Sequence, residues 1–234
     1  MADKQQDQGI ENVIMLDLKV AEKRRLAEGI WLFDLVHPEG NDLPPFTAGG
    51  HIPVRTPSGA MRHYSLSNNP SERHRYQIAV KHEPNSRGGS RPMVEDTAVG
   101  DLLSVDEPGN DFPLGDAPDY LLIAGGIGIT PILAMARQLT DQGKSFHLVY
   151  CSRSADQAGF LDVLNSDAVN GKITIHHDDG DPDAVYDFWD LLETPSKTHV
   201  YCCGPKPLME EILGMTGHWP ESAIHFEDFS PVER

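Results

Sequence analysis

Two glycine-rich turns carry the residue types best suited to bind a phosphate-bearing ligand. In the first, an apolar strand runs into Gly125-Gly126-Ile127-Gly128 and then into Thr130-Pro131, where a helix is expected to begin. Glycine lets the backbone turn tightly and approach a ligand, and the helix N-terminus presents unpaired N–H groups to it. In the second, Cys203-Gly204-Pro205 follows another apolar strand. Parallel strands end at one edge of a sheet, so both turns are expected to border one cleft.

Taken alone, the first turn fits equally well a tight strand-to-helix connection that binds nothing. It lacks the complete G-x-G-x-x-G pattern, and no G-K-[ST] follows it, so a nucleoside triphosphatase is not expected. The second turn at Cys203-Gly204-Pro205 is what favours a nucleotide-binding cleft over the plain connection.

Two upstream segments place an arginine beside aromatic or small residues. In Arg62-His63-Tyr64-Ser65-Leu66, strand alternation puts Arg62, Tyr64 and Leu66 on one face. The arginine offers a planar fork for phosphate and the tyrosine a flat ring for stacking. The segment Ser86-Arg87-Gly88-Gly89-Ser90 is typical of a loop that cradles phosphate. Each segment also has a purely structural interpretation, as a strand with an exposed arginine and as a flexible hairpin tip.

The elements that must position these motifs fall into two halves. Gly, Pro and Asn separate short alternating runs in the first half, a pattern that indicates an antiparallel β-barrel or sandwich. The second half alternates apolar strands with helical patterns, which indicates a parallel sheet with crossover helices. We therefore predict a tail at residues 1–11, a β domain at 12–115 and an α/β domain at 116–234.

The periodicity also predicts the bounds of individual elements. Ile132, Met135, Ala136 and Leu139 share one face of a helix that Gly143 ends. A short helix is predicted at 91–99, and further helices surround 160–164 and 208–213. Strands are predicted at 14–20, 29–36, 51–56, 63–67, 76–82 and 101–105, then at 121–124, 146–150, 173–176, 199–203 and 223–229.

Charge and cysteine content exclude several classes of function. The 234 residues carry a net charge of −17, which argues against binding to nucleic acid or to anionic membranes. No apolar run approaches the roughly 20 residues that span a bilayer, and the polar N-terminus is not a signal peptide. The three cysteines, Cys151, Cys202 and Cys203, form no disulfide or zinc pattern. We expect a cytoplasmic protein.

No metal site is expected. His176-His177-Asp178-Asp179 has ligand-type side chains, but neighbours on a strand point to opposite faces of the sheet. A role in a loop, or in contact with ligand-binding residues, is the better interpretation. Cys151 and Cys202 are interpreted as small apolar strand residues.

In their order along the chain, the motifs resemble the ferredoxin–NADP reductase superfamily. Within it, the chain is most similar to the phthalate dioxygenase reductase family, the reductase components of bacterial ring-hydroxylating and demethylating oxygenases. The resemblance covers residues 12–230. It rests on Arg62-x-Tyr64-Ser65-Leu66, Ser86-Arg87-Gly88-Gly89-Ser90, Gly125-Gly126-Ile127-Gly128-Ile129-Thr130-Pro131, Cys203-Gly204-Pro205 and His225-Phe226-Glu227-Asp228-Phe229, with support from segments 175–182 and 216–220.

The resemblance implies a fold and an activity. The fold is an N-terminal antiparallel Greek-key β-barrel that binds a flavin, followed by a Rossmann-like parallel α/β domain that binds NAD(P). The activity is hydride transfer from NADH to bound FMN, with the rings held about 3–3.5 Å apart, and then transfer of single electrons to a [2Fe-2S] acceptor. FAD and NADPH are the less favoured cofactors. Arg153 fits either an NADP 2′-phosphate contact or a solvated loop residue.

The resemblance also assigns roles to residues. Arg62 and the loop at 87–90 would hold the flavin phosphate, Tyr64 would pack on the isoalloxazine, and Ser65 would lie near flavin N5. The glycine turn would line the pyrophosphate path, and Cys203 would lie beside the nicotinamide. The expected catalytic residues are Ser65, Cys203 and Glu227. The expected cofactor-binding residues are Arg62, His63, Tyr64, Ser65, Lys81, Arg87, Gly88, Gly89, Ser90, Gly125, Gly126, Gly128, Thr130, Pro131, Ser152, Arg153, Cys203, Gly204, Pro205, Phe226 and Phe229.

The acceptor is left open at this point. Members of this branch usually carry a ferredoxin domain with a C-x4-C-x2-C run, which the sequence to Arg234 does not contain. Either such a domain has been removed, or a separate ferredoxin or a Rieske oxygenase takes the electrons. The alternatives to an oxygenase reductase are a free-standing FAD-dependent ferredoxin or flavin reductase and a non-catalytic flavin electron-transfer subunit. A monomer is expected.

Overall fold

A computed structural model describes residues 15–86 and 88–229 of the chain. This part contains one antiparallel and one parallel sheet, as the sequence pattern predicts. The predicted tail at 1–11 and the predicted phosphate ligand Arg87 lie outside the described residues.

The antiparallel sheet curls into a barrel. Its strands run in the order β4-β3-β6-β1-β2-β5, and a bridge between Leu66 and Ile78 joins the two outer strands. Strand β6 lies beside β3 after the excursion through β4 and β5, which is a Greek-key path. The strands are β1 (Leu16–Ala27), β2 (Ile30–Val36), β3 (His51–Arg55), β4 (Met61–Ser65), β5 (Tyr76–Lys81) and β6 (Leu102–Val105).

Strand β1 continues beyond the predicted end at residue 20. It reaches Ala27 and pairs with β2 through two register shifts. Its second half is rich in charged residues because that face is exposed, so the hydrophobic alternation that defines a half-buried strand is missing. The short helix α1 (Ser90–Glu95) ends earlier than the predicted residue 99 and buries Met93 and Val94.

The parallel sheet has the order β11-β10-β7-β8-β9, so its strand sequence reverses between β7 and β10. Such a switch point opens a crevice at the carboxyl ends of the strands. One sheet face carries α2, and the other packs with residues of α4 and α5. The elements are β7 (Asp119–Gly125), α2 (Ile129–Asp141), β8 (Phe146–Ser152), α3 (Leu161–Leu164), β9 (Lys172–His177), α4 (Trp189–Leu192), β10 (Thr198–Cys203), α5 (Lys206–Met215) and β11 (Ile224–Glu227).

A single apolar core joins the barrel to helix α2 and the parallel sheet. Ile30 and Leu32 of β2 and Ala79 of β5 are buried in the same cluster as Ile132 and Met135 of α2. Burying apolar surface is the dominant favourable contribution to folding, so separating the two sheets would expose part of the main core. The barrel and the parallel sheet therefore share one packing unit.

Two tyrosines hold the connection between the sheets in place. The hydroxyl of Tyr201 accepts a hydrogen bond from Gly115 N at 2.8 Å. The hydroxyl of Tyr120 accepts one from Ala117 N at 2.8 Å and donates to Gly115 O at 3.1 Å. These bonds satisfy backbone groups that have no sheet partner. No helix within the described ranges is long and apolar enough to cross a bilayer.

Replacing Leu32 by alanine tests the shared core. Leu32 is 1% exposed, so Leu32→Ala should lower the free energy of unfolding by about 2–5 kcal/mol. Leu213→Ala is the matched control, because Leu213 is 59% exposed and should change the free energy by less than about 0.5 kcal/mol. Denaturant unfolding measures both values, and equal effects of the two substitutions would contradict the packing described here.

Candidate functional site

A cavity of about 660 Å³ opens at the switch point of the parallel sheet. Both predicted glycine turns line it, from Gly125 to Gly128 on one side and from Gly204 to Leu208 on the other. Glu28, Ile30 and Lys81 of the barrel complete the wall. The cavity therefore lies in the seam between the barrel and the parallel sheet.

The glycines of the two turns serve different purposes. A Cβ at Gly128 would lie 2.2 Å from the carbonyl oxygen of Cys203, and one at Gly125 would lie 2.6 Å from Pro205 Cδ. These glycines are required because the two turns pack directly against each other. Gly126 differs, since its φ is +54° and no atom lies within 4 Å of a Cβ built there. Gly126 is thus the glycine whose conformation, rather than its packing, sets the turn.

Thr130 and Pro131 follow the glycine turn at 125–128. Both are buried in the first half of α2. The Thr130 hydroxyl donates to Ile127 O at 3.0 Å, so it holds the turn together. Neither residue is part of the cavity wall.

The ends of β8 and β9 form the far side of the cavity. Ser152 and Arg153 line it, as predicted, together with Asp178 from the segment after β9. The Ser152 hydroxyl lies 2.8 Å from His177 Nδ1. The ring of Tyr186 also lines this side. Its centroid lies 4.8 Å from that of Phe188 in an edge-on contact.

The predicted phosphate-binding residues of the barrel are brought together. A Cβ at Gly89 would lie 3.1 Å from Arg62 Nε, so the loop passes directly beside the arginine. The hydroxyls of Thr56 and Ser58 donate to Gly88 O at 2.8 and 2.7 Å and fasten the loop to the β3–β4 turn. In the same loop, Ser90 Oγ accepts a hydrogen bond from Glu83 N at 3.0 Å.

Strand β4 presents its residues as the alternation predicts. Arg62 and Tyr64 pair with Val54 and Ile52 of β3 and so share one face. His63 lies on the other face, where its ring stacks on that of His51 at 4.8 Å. Burial lowers the pKa of His51, the neighbouring His63 adds to that effect, and Asp111 opposes it. Ser65, at the end of β4, is 6% exposed.

Glu227 and Cys203 are partners on adjacent parallel strands. Burial is the main cause that raises the pKa of Glu227 to about 7, and the negative Asp111 contributes. Burial also raises the pKa of the Cys203 thiol, with Glu227 as a further cause. Both groups are therefore held toward their neutral, protonated forms, in which each has a proton to donate.

The last strand separates the residues predicted to approach a flavin. Phe226 pairs with Cys202 and packs in the cluster on the α4–α5 face of the sheet. Glu227, one residue on, pairs with Cys203, which belongs to the core shared with the barrel. Adjacent residues of a strand point to opposite faces of the sheet, so the side chains of Phe226 and Glu227 do not share one face. Phe229 is 46% exposed and lines the cavity.

Several cavity residues have no role in the sequence-based prediction. Asp178 belongs to a predicted loop. Its place in the cavity could have been predicted from the sequence, because it follows a parallel strand at the sheet edge where ligands bind. Tyr186 and Glu211 have no such signal, since neither spacing nor composition shows that their segments reach the cavity. His176 Nε2 lies 2.7 Å from Ala184 O. In the described part of the chain, no group of three His, Cys, Asp or Glu side chains is arranged to hold a metal.

Two buried polar atoms, one on β4 and one on β11, are suited to a ligand although neither residue lines the cavity. Tyr64 Oη and Glu227 Oε2 are buried without a hydrogen-bond partner among the described residues. A buried unsatisfied polar atom costs about 1–3 kcal/mol, and a ligand that pairs it removes that cost. The arginine-flanked loop at 88–90 and the cavity with its two glycine turns add a place for phosphate. These residues fit a flavin and a nicotinamide nucleotide.

Comparison with known proteins agrees with this arrangement. Residues 122–213 match the family of oxidoreductase NAD-binding domains. The chain is 51% identical to a phthalate 4,5-dioxygenase oxygenase reductase subunit of Pseudomonas putida, over 91% of this chain and 66% of that protein. It is 49% identical to a phthalate dioxygenase reductase of Burkholderia cepacia, over 92% of this chain and 67% of that protein.

A solved structure of a phthalate dioxygenase reductase superposes on this fold with a TM-score of 0.91 at 47% identity. The match covers 94% of this chain and 70% of that one. Fold and site together define an oxidoreductase of the ferredoxin–NADP reductase class, with a domain that binds a nicotinamide nucleotide. The chain belongs to the phthalate dioxygenase reductase family, and it spans about two thirds of the length of the curated relatives it matches.

The raised pKa of Glu227 predicts a pH-dependent stability. A carboxyl whose folded pKa is about 7 rather than 4.5 binds a proton more tightly when folded, so stability is lost as the pH rises through that window. At roughly 1.4 kcal/mol per pKa unit, the loss approaches about 3 kcal/mol. Glu227→Gln keeps an uncharged side chain of nearly the same shape, so this substitution should abolish the pH-dependent loss of stability.

Unfolding of the flavin-free chain at pH 4.5 and at pH 8 measures this effect. The difference in the free energy of unfolding, unsubstituted protein minus Glu227→Gln, should be smaller at pH 8 than at pH 4.5. Parallel pH profiles for the two proteins would show that Glu227 titrates normally in the fold.

Proposed function

We propose that this chain is the reductase component of a Rieske-type oxygenase or demethylase system, and that it moves a hydride from NADH to bound FMN. The observation that carries the proposal is the seam between barrel and parallel sheet. There the two glycine turns line one cavity with Glu28, Ile30 and Lys81 of the barrel, and in the same barrel Arg62 lies directly beside Gly89 of the 88–90 loop. We take residues 12–115 as the flavin-binding unit and 116–234 as the nucleotide-binding unit.

The barrel side would hold the flavin. Arg62, the loop at 88–90 and Arg87 would bind the phosphate, because a guanidinium and backbone N–H groups suit a compact dianion. Tyr64 would present its ring to the isoalloxazine and its unpaired hydroxyl to a polar atom of the ligand. His63 and Lys81 complete the expected set. FMN is preferred to FAD on the resemblance of this loop to that of FMN-binding members.

The cavity would hold the nicotinamide nucleotide. Lys81 lines it and forms an ion pair with Glu83 at 2.8 Å. It would give the pyrophosphate a cation on the barrel side, opposite Gly126. The carboxylates of Asp178 and Glu211 also line the cavity. They oppose a further phosphate and so support NADH over NADPH, although Arg153 lies on the same side.

Few side-chain acids or bases are needed for this reaction. The chemistry that a flavin supplies when bound is uptake of a hydride and release of single electrons. The residues of this chain bind, orient and exclude water. Cys203, held neutral, and Glu227, protonated below a pH of about 7, would place proton donors beside the reacting rings. Ser65 would contribute a hydroxyl at the end of β4.

The electrons would pass to a [2Fe-2S] ferredoxin domain or protein and then to a Rieske oxygenase. The matched phthalate dioxygenase reductase structure is described as modular, for electron transfer from pyridine nucleotides to [2Fe-2S]. We infer a cytoplasmic monomer that binds neither nucleic acid nor membrane. The net charge of −17 and the three free cysteines support that inference.

Cofactor analysis and anaerobic titration test the proposal. Mass spectrometry of the flavin released from purified protein should give FMN, and FAD would overturn that part. Anaerobic NADH should then bleach the flavin absorbance near about 450 nm at a much lower concentration than NADPH requires. A flavin that stays oxidised in excess NADH would remove the reductase assignment and leave a non-catalytic flavin subunit.

A further inference from the structure

Arg137 is a half-buried cation on the face of α2 that meets the barrel. Its Nη1 donates to Ser67 O at 2.8 Å and lies 3.4 Å from Gln77 Oε1. Burial lowers its pKa, and the carboxylates of Glu72 and Asp34 oppose that effect. Arginine stays charged under these conditions, so a charge-assisted bond crosses from helix to barrel.

The carbonyl that Arg137 binds belongs to the segment immediately after Ser65. Ser67 is fully buried, and its N–H donates to Gln77 O at 2.8 Å. One residue earlier, Leu66 N donates to Gly50 O at 2.8 Å. The segment is thus fastened to the barrel on one side and to α2 on the other. A second bond to the same helix, from Asn69 Nδ2 to Asp141 Oδ2 at 2.7 Å, adds to the fastening.

The side chain of Gln77, the weaker of the two acceptors, is held by a polar network on the face of the barrel that meets α2. Gln77 Nε2 donates to Asp34 Oδ1 at 2.9 Å. Arg75 donates to the other oxygen of Asp34 at 2.6 Å and to Glu72 at 2.7 Å. Asp34 is 5% exposed, and so is Gln77. This network fixes the Gln77 amide, whereas the Ser67 carbonyl, which makes the shorter contact with Arg137, is held by the backbone hydrogen bonds of its own segment.

Helix α2 links this contact to the nucleotide turn. It begins directly after Gly128, and Arg137 lies nine residues on, roughly 14 Å along the axis. A helix transmits position over this distance as a stiff rod. We propose that Arg137 is a positioning residue that fixes the glycine turn at 125–128 against the segment after Ser65, and so sets the approach of nicotinamide to flavin. This inference rests on the proposed reductase function.

The variants separate positioning from general stability. Arg137→Met keeps the apolar stem but removes the guanidinium, and Arg137→Lys returns a cation that can reach one acceptor. Arg75→Gln is the matched control, because it removes the bonds to Asp34 and Glu72 and none of the bonds that Arg137 makes. Each protein is purified, loaded with FMN and mixed anaerobically with saturating NADH in a stopped-flow instrument. FMN affinity is measured separately by fluorescence, and amide hydrogen exchange is followed at residues 65–69.

Arg137→Met should slow flavin reduction at least about tenfold, because small misplacements of reacting groups cost rate steeply, while FMN affinity changes less than about twofold. It should weaken the long-wavelength NADH–flavin absorbance and speed exchange at 65–69. Arg137→Lys should restore part of the rate. Arg75→Gln should lower the melting temperature and leave the rate within about twofold.

An unchanged rate in Arg137→Met, or equal slowing in Arg75→Gln, would overturn the inference. If Arg137→Met fails to fold, Arg137→Lys decides: slower reduction with normal FMN affinity supports the role, and wild-type reduction and exchange overturn it. If unsubstituted protein is not reduced by NADH, the proposed function falls by itself. Exchange at 65–69 then decides: faster exchange in Arg137→Met than in Arg75→Gln supports the fixing role, and equal exchange refutes it.

Discussion

The apolar contact between barrel and parallel sheet is the constraint on which the candidate site depends. Leu32 and Ala79 from the barrel share a core with Ile132 and Met135 of α2. That contact sets the distance between the strand of Arg62 and Tyr64 and the two glycine turns. Neither half contains a complete site, so the chemistry proposed here requires the two halves to be held together.

The seam is also where burial opposes charge. Burial raises the pKa of Tyr64 to about 12 and that of Glu227 to about 7, and it raises the pKa of Cys203 as well. Tyr64 and Cys203 are therefore neutral at neutral pH, whereas Glu227 gains or loses its proton near pH 7. The cations Arg62 and Lys81 lie toward the parts of the site assigned to phosphate, where a positive charge is useful.

Much of the fold follows from patterns within single elements. The strand before Gly125 and the amphipathic face of α2 are predicted because hydrophobic periodicity and turn residues are local signals. The charged second half of β1 is missed, because its strand structure comes from pairing with β2. Helix α4 is missed for the related reason that four residues hold too little periodicity to detect.

The site is predicted in part for the same reason. Arg62 and Gly88 belong to contiguous motifs that the structure brings close together, and Gly204 lines the cavity. Tyr186 and Glu211 reach the cavity only through tertiary packing, which no spacing along the chain encodes. Most of the glycines, expected to make room for a ligand, are explained first by contact between two turns that are far apart in sequence. Phe226 shows a different kind of error. The motif groups it with Glu227 because the two are adjacent in sequence, but adjacent residues of a strand lie on opposite faces of the sheet.

The central claim is that the flavin sits in the seam and satisfies the two orphaned polar atoms. A crystal structure of the protein with FMN tests it most directly. The account predicts the isoalloxazine between Tyr64 and Glu227, with Tyr64 Oη and Glu227 Oε2 each hydrogen-bonded and the phosphate on Arg62 and the 88–90 loop. A flavin bound elsewhere, with both atoms still unpaired, would contradict it.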